Sequence, residues 1–222
     1  MASPPAVQPA SSSSASNAAL LQEANAQSAE DQIAYFRAIP WCAALLSQPG
    51  LFIDQAVCRR LNPTDGLYRN SLFSRALNTP DAIPAYIVFY SPPPVATDAT
   101  TVPMMTELDS LVALGPMING HDGVCHGGLV VALLDEVMGQ LVDANRTRGA
   151  VSSLPAMTGY LNSRFERPVL TGTAERARAV RLTARITRSE GRKLWLEGEV
   201  MDDGGVVLAR ADAMFIVLKE KL

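Results

Sequence analysis

The residues best suited to chemistry lie in a glycine-rich turn and in the long apolar segment that follows it. The turn runs from His121 to Gly128, and the apolar segment runs from Leu129 to Asn145. The apolar segment predicts a helix that begins at the turn. Because the N–H groups at a helix start point out of its end, we expect the amides of Gly127, Gly128 and Leu129 to hold a carbonyl oxygen or an anion.

One carboxylate interrupts the apolar pattern of this predicted helix. At about 100° per residue, Asp135 falls on the same stripe as Val131, Met138 and Val142. A carboxylate on a buried stripe is costly unless it is paired or neutral, so the pattern favours a catalytic or substrate-facing role. The alternative is a hydrogen bond to a backbone amide or to an arginine of a neighbouring strand. The polar residues that we expect to face water on the other side are Glu136, Gln140 and Asp143.

Spacing limits how the turn and the carboxylate can cooperate. Asp135 lies roughly 12 Å by helix rise beyond Gly127. A single substrate carbonyl does not easily reach both residues on a helix that stands alone. The site therefore needs a second element to close it.

The residues His126-Gly127-Gly128, followed by six residues and Asp135, resemble the HGG-x6-D signature of hotdog-fold acyl-CoA thioesterases. That family is the 4-hydroxybenzoyl-CoA and phenylacetyl-CoA type thioesterase superfamily. The preceding Asn119-Gly120 and the later stretch from Tyr160 to Val169 match its flanking patterns. The resemblance covers about residues 84 to 219.

The resemblance implies hydrolysis of an acyl-CoA thioester by a homodimer, either alone or as a dimer of dimers. It implies that the Gly127 N–H polarises the thioester carbonyl. It also implies that the partner subunit's Asp135 activates water or attacks the acyl carbon, which removes the distance problem. Thr158 aligns with a family residue that holds the water, although an ordinary strand threonine is the alternative.

His126 and Cys125 each allow a structural interpretation as well as a catalytic one. His126 is either a general base or, more commonly, a histidine that fixes the loop by bonding to backbone at the helix start. Cys125 at a helix N-terminus could act as a nucleophile, but nothing else supports a Cys–His pair. The spacing of His121, Cys125 and His126 fits no standard zinc site, so no metal is expected.

The phosphates of CoA require basic groups at the mouth of the site. The candidates at the end of one predicted strand are Arg164 and Arg167. Two further candidates, Arg192 and Lys193, lie at a predicted hairpin. The alternative for the hairpin residues is a solvent-exposed turn without a role in binding. Family members place an asparagine six residues before the HGG histidine, whereas Asn119 lies seven before it. The predicted substrate contacts are Asn119, Gly128, Asn162, Arg164, Arg167, Arg192 and Lys193. No cofactor is expected apart from CoA as part of the substrate.

Composition restricts the class of protein. The 222 residues are 48% hydrophobic and 18% charged, with a net charge of −3, which suits a domain with a proper core and argues against a nucleic-acid surface. No apolar run reaches the length of a membrane span. Three cysteines predict a reduced intracellular protein. We expect a cytoplasmic location, with a mitochondrial one left open.

The chain divides into three predicted parts. Residues 1–28 are rich in Ala, Ser and Pro and predict a disordered tail. Residues 29–83 predict a helical N-terminal extension, with an amphipathic helix near Pro40 and a second short helix from Leu51 to Arg60. This extension is either a layer packed on the sheet or a lid over the acyl pocket.

Residues 84–222 predict an α+β hotdog domain, in which a curved antiparallel sheet wraps a long central helix. The predicted order is two strands, the helix and four further strands. Strict alternation along the first strand after the helix places Thr158 on the same face as Asn162 and Arg164.

Two other functions remain open at this point. A non-catalytic acyl-CoA-binding module would keep the glycine turn and tolerate the loss of Asp135. A hotdog hydratase or dehydratase needs an Asp/His pair, and His121 and His126 both precede the helix, which counts against it.

Overall fold

The computed structural model of the protein describes residues 28–60, 70–94, 102–173 and 175–219. Helix α1 spans residues 28–37, α2 spans Pro40–Leu46 and the long α3 spans Gly127–Arg148. Single turns of other helix types cover Val57–Arg59, Leu72–Ala76 and Pro116–Ile118. The strands are β1 Phe52–Gln55, β2 Tyr86–Tyr90, β3 Glu107–Leu114, β4 Asn119–His121, β5 Val124–Cys125, β6 Ala156–Phe165, β7 Arg178–Glu190, β8 Lys193–Met201 and β9 Val207–Val217.

The main element is a seven-stranded antiparallel sheet in the order β1-β2-β3-β7-β8-β9-β6. The strands β4 and β5 form a separate ribbon just before α3. Helix α3 packs against β3, β6, β7, β8 and β9. The predicted hotdog fold class is therefore confirmed. No helix within the described ranges is long and apolar enough to cross a membrane.

Both faces of the sheet are packed near β3. Leu108, Val112 and Leu114 face α3 on what we call the inner face, while Leu111 and Ala113 join the core formed with α1 and α2 on the outer face. All five are at most 2% exposed. A leucine or valine side chain buried this fully contributes about 1.5–3 kcal/mol to the stability of the fold. Because apolar side chains occupy both of its faces, β3 lies between two packed layers.

The N-terminal extension differs from its prediction. The helix expected from Leu51 to Arg60 is wrong, because this segment forms strand β1 and the single turn Val57–Arg59. Phe52 to Gln55 pair with β2, and main-chain pairing with an existing strand outweighs a weak helical pattern. The predicted tail lies outside the described residues except for its last position, which is the start of α1.

A β-bulge at Gly159 breaks the alternation of β6. Thr158 pairs with Phe215 and Tyr160 pairs with Met214, so Gly159 has no pairing partner on β9. The extra residue turns Thr158 to the inner face, and Asn162 then lies on the outer face beside Asp212. The prediction that Thr158 shares a face with Asn162 and Arg164 is wrong for this reason.

The bulge predicts a stability cost for a side chain at position 159. A Cβ on Gly159 would lie 3.1 Å from the main-chain oxygen of Met214 and 3.0 Å from its Cε. We expect Gly159→Ala to lower the free energy of unfolding by about 1 kcal/mol, measured by chemical denaturation. Gly204→Ala is the matched control, because the nearest atom to its Cβ is 3.4 Å away. Equal stability of the two variants would contradict the crowding.

Candidate active site

Asp135 and Thr158 meet between α3 and β6. The Thr158 hydroxyl donates a hydrogen bond to Asp135 Oδ1 over 2.7 Å. Met138 and Val142 are buried as predicted, but Asp135 and Val131 are only half-buried in the single chain. The reason is that β6 is an edge strand, and within the described residues nothing lies beyond it. The carboxylate thus sits on a surface that is open to a substrate or a second chain.

The opposite flank of α3 is closed where water was expected. Gln140 is 4% exposed, and its Nε2 donates to the Tyr86 hydroxyl over 3.0 Å and to Glu136 Oε1 over 3.4 Å. Its Nε2 also lies 3.8 Å from the sulfur of Cys58, a residue of the extension. The prediction that Gln140 faces water is wrong because the extension and β2 cover it, and Glu136 beside it is half-buried. Asp143 is partly exposed and pairs with Arg146.

Burial raises the pKa of Glu136 to about 7. Hydrogen bonds from Cys58 and Gln140 act in the opposite direction, while the negative charge of Asp135 raises the pKa further. This group was not predicted from the sequence. Its one signal was the four-residue spacing of Glu136 and Gln140, which places them on one helix face. That spacing alone does not reveal what covers the face.

His126 forms the cap at the start of α3. Its Nδ1 accepts a hydrogen bond from the Gly128 N–H over 3.0 Å, and its carbonyl accepts from the Leu129 N–H over 2.9 Å. Of the three amides predicted to be free, only that of Gly127 has no acceptor among the residues described. The prediction for Gly128 and Leu129 is therefore wrong. The ring of His126 holds the turn by a bond to backbone.

The turn packs so closely that Gly120 has no room for a side chain. A Cβ there would lie 2.9 Å from the Cα of His126. This contact and the bond from the His126 N–H to the Ile118 carbonyl at 2.9 Å hold the ribbon β4–β5 against the helix start. The direction of the Gly127 N–H is thereby fixed before any ligand arrives.

A cavity of about 610 Å³ lies at this helix start. Its lining is largely apolar and includes Cys125, Gly127, Val130 and Phe165, with Arg167 among its polar residues. Burial raises the pKa of the Cys125 thiol to about 12, so it is protonated at neutral pH and is a poor nucleophile. Among the described residues, no group of three or more His, Cys, Asp or Glu side chains is placed to hold a metal ion.

The remaining predicted contacts are dispersed. Asn119 accepts a hydrogen bond from the Thr171 hydroxyl over 2.7 Å. Asn162 donates to Asp212 over 3.0 Å, and it lines an outer-face groove together with Arg164. These contacts place Asn162 and Arg164 on the face of the sheet that is turned away from Asp135.

Arg192 and Lys193 lie at the β7–β8 hairpin. Arg192 donates to the Val217 carbonyl over 2.8 Å and lines a separate cavity next to Ala150, just past the C-terminal end of α3. Lys193 is exposed at the start of β8. Within one chain, the structure therefore does not bring these two side chains to the cavity that contains Arg167.

Comparison with known proteins gives short matches, and no family model matches the chain. Verlamelin biosynthesis protein B of a Lecanicillium species is 40% identical over 72 residues, which is 32% of this chain and 31% of that protein. Acyl-coenzyme A thioesterase THEM4 of Bos taurus is 32% identical over 105 residues, 47% of this chain and 38% of that protein. The matches thus span about a third of the length of these curated relatives.

A solved structure, the BH2602 protein of Bacillus halodurans with CoA, is 30% identical to this chain with a TM-score of 0.42. The similarity covers 50% of this chain and 66% of that one.

The raised pKa of Glu136 predicts how the stability of the fold depends on pH. Since its pKa rises from an ordinary 4.5 to about 7 on folding, the folded chain holds a proton that the unfolded chain has released. Stability should therefore fall as pH rises from about 4.5 to about 7 and stay low above that. The neutral variant Glu136→Gln should remove this fall and gain on the order of 3 kcal/mol at most at pH 8, measured by denaturation across pH.

Glu197→Gln is the matched control, because Glu197 is exposed on β8. It should keep the wild-type pH dependence. A full wild-type fall in stability in Glu136→Gln would contradict the raised pKa of Glu136.

Proposed function

We propose that this protein is an acyl-CoA thioesterase that works as a homodimer. The single observation that carries the proposal is the 2.7 Å hydrogen bond from Thr158 to Asp135 on the open side of α3. It joins a hydroxyl and a carboxylate at a surface where a substrate and water have access. The acyl chain remains unassigned.

Asp135 acts in the proposal as general base or nucleophile. Thr158 holds Oδ1, and among the described residues Oδ2 has no hydrogen-bond partner. Oδ2 is therefore available to take a proton from water or to attack the acyl carbon. Thr158 fixes the carboxylate rotamer and, through its own oxygen, can orient the same water.

Gly127 supplies the oxyanion donor. Its N–H is unpaired within the described part of the chain and opens a 22-residue helix, whose dipole favours negative charge at this end. Negative charge develops on the thioester oxygen in the transition state. A fixed amide directed at that oxygen stabilises the transition state more than the ground state.

The two groups are too far apart on one helix, and a dimer removes this obstacle. Strand β6 is an edge with large exposed apolar side chains: Met157 is 57% exposed, Tyr160 is 40% exposed and Phe165 is 53% exposed. Such an edge favours pairing with a second copy. In the proposed dimer the Gly127 N–H of one protomer faces Asp135 of the partner subunit.

The substrate class rests on chemistry and on one relative. The bovine relative is named an acyl-coenzyme A thioesterase. Arg167 beside the helix-start cavity supplies a positive charge for a phosphate of CoA. In the dimer, Arg192 and Lys193 of the partner subunit are further candidates, and Arg164 and Asn162 on the outer face are not.

Asp135→Asn should lower the release of free thiol from acyl-CoAs by at least about a hundredfold, the scale of losing a general base. The assay uses a panel of acyl-CoAs of different chain length. Asp143→Asn is the control, since Asp143 lies on the same helix in a surface pair with Arg146. Equal rates for Asp135→Asn and wild type would reject the mechanism. CoA binding without any thiol release by the wild type would favour a binding module.

Gly127→Pro tests the oxyanion donor without removing the helix. Proline suits the first helical position, and His126 before it has φ −59° and ψ 127°, which proline accepts. Loss of the N–H should lower kcat by about a hundredfold or more. Gly127→Ala keeps the N–H, and its Cβ makes only an ordinary contact with Phe165 at 3.5 Å, so it should stay within about threefold of wild type.

Co-expression of Gly127→Pro and Asp135→Asn chains separates a shared site from a site within one chain. A mixed dimer keeps one intact site only if the amide and the carboxylate come from different protomers. Random pairing then restores about a quarter of wild-type activity. Absence of recovery in a preparation that contains mixed dimers would contradict the shared site.

A further inference from the structure

Strand β6 carries a hydroxyl on its inner face for which the single chain supplies no partner. Ser163 pairs with Ala211, a buried residue of the core around α3, so its side chain lies on the same face as that of Thr158. Ser163 is half-buried, and among the described residues its hydroxyl has no hydrogen-bond partner. Because β6 is an edge strand, this hydroxyl is placed to bond to a strand that continues the sheet.

The bulge at Gly159 restricts how two copies of β6 can pair. Nine of the ten residues of β6 are in register with β9, and Gly159 is the extra one. In an antiparallel pair, residues directly opposite each other lie on the same face of the sheet. When all nine residues pair around a twofold axis, the middle one, Leu161, lies on that axis. Moving the axis to a neighbouring residue leaves two residues of each strand unpaired, and an axis between residues sets inner side chains against outer ones.

The side chains of the two strands suit each other in this register. Thr158 lies opposite the partner subunit's Ser163, so one hydroxyl meets another on the inner face. Ala156 lies opposite the partner subunit's Phe165, so a small side chain meets a large one. Leu161 meets its own copy on the axis. With the axis on a neighbouring residue, Thr158 would instead face the partner's Leu161 or the partner's Phe165 and lose its polar neighbour.

The same register brings the start of α3 to the partner's carboxylate. A Cβ on Gly127 would lie 3.5 Å from the Phe165 ring, so this ring marks the helix start. Phe165 lies two residues from Ser163 on the same face of β6. The strand pairing therefore places Gly127 of one protomer on the side of the partner's Thr158, which is bonded to Asp135. The register thus agrees with a site shared between two protomers.

We propose that Ser163 is a positioning residue for the neighbouring protomer: its hydroxyl donates a hydrogen bond to Oγ1 of the partner subunit's Thr158, which in turn donates to Asp135. Directly opposite side chains have Cβ atoms about 4.5–5.5 Å apart, which two hydroxyls can bridge. The bond keeps the Thr158 proton directed at Asp135, and the second lone pair of the Thr158 oxygen stays available for water. This role rests on the proposed thioesterase function, whereas the register does not.

Disulfide cross-linking of the full chain tests the register without any activity. Leu161→Cys should link to its own copy under oxidising conditions, because opposite Cα atoms are about 4.5–5.5 Å apart. Ser163→Cys alone should not cross-link, since its two copies are offset by roughly 13 Å along the strands. Combining Ser163→Cys with Thr158→Cys should produce the cross-link. Wild type gives the background, because its three cysteines are buried.

Two results on a non-reducing gel would overturn the proposal. One is a monomer band for both Leu161→Cys and the double variant. The other is a cross-link in Ser163→Cys alone, which would mean that the axis lies elsewhere.

The positioning role is tested with acyl-CoA as substrate. Ser163→Ala should lower kcat by about tenfold, the scale of one lost hydrogen bond, and keep KM within about twofold, because the bond orients the carboxylate and not the substrate. Ser163→Thr keeps the hydroxyl and should stay within about threefold of wild type. A wild-type kcat in Ser163→Ala, an equal loss in Ser163→Thr, or dissociation of the Ser163→Ala dimer in sedimentation overturns the positioning role.

These outcomes are distinguishable from failure of the proposed function. If Leu161→Cys cross-links but the wild type releases no thiol from any acyl-CoA, the thioesterase activity and the positioning role fail while the register stands. If thiol release depends on Asp135 but is unchanged in Ser163→Ala, only the positioning role fails.

Discussion

The coverage of α3 is the constraint on which the other features depend. Five strands pack against the helix, and the extension covers a further flank through Cys58. Within the described residues, the stripe next to β6 stays partly open, and it carries Asp135. A helix enclosed to this extent must satisfy its polar side chains internally or place them at the opening. Asn145 does the former, and Asp135 does the latter.

Local irregularities of the backbone position the polar groups of the candidate site. The bulge at Gly159 shifts β6 by one residue, and without it Thr158 would face away from Asp135. At the helix start, His126 uses its ring and its carbonyl to occupy two amides, which leaves the Gly127 N–H as the available donor. The bulge therefore directs Thr158 toward Asp135, and the His126 cap leaves Gly127 with the unpaired N–H.

The regular elements of this architecture could be predicted from the sequence, whereas its irregular features could not. The helix after the glycine turn and the strands around it follow from periodicity, because each buries a continuous apolar face. The side on which Thr158 lies did not follow, since one unpaired glycine inverts the alternation. The burial of Gln140 and the partial burial of Glu136 could not be predicted either, because the residues that cover them are distant in sequence. The helix predicted over β1 is wrong because β1 is stabilised by pairing with β2, a contact that the local sequence pattern does not show.

The two borders of the sheet differ in length, with four residues in β1 at one side and ten in β6 at the other. A border of four residues offers too few main-chain groups to recruit another strand. Growth of the sheet by addition of further copies is thus blocked on the first side. If a second copy of β6 continued the sheet across the long border around a twofold axis, the pairing would use up that border. The short first strand therefore disfavours open-ended polymerisation.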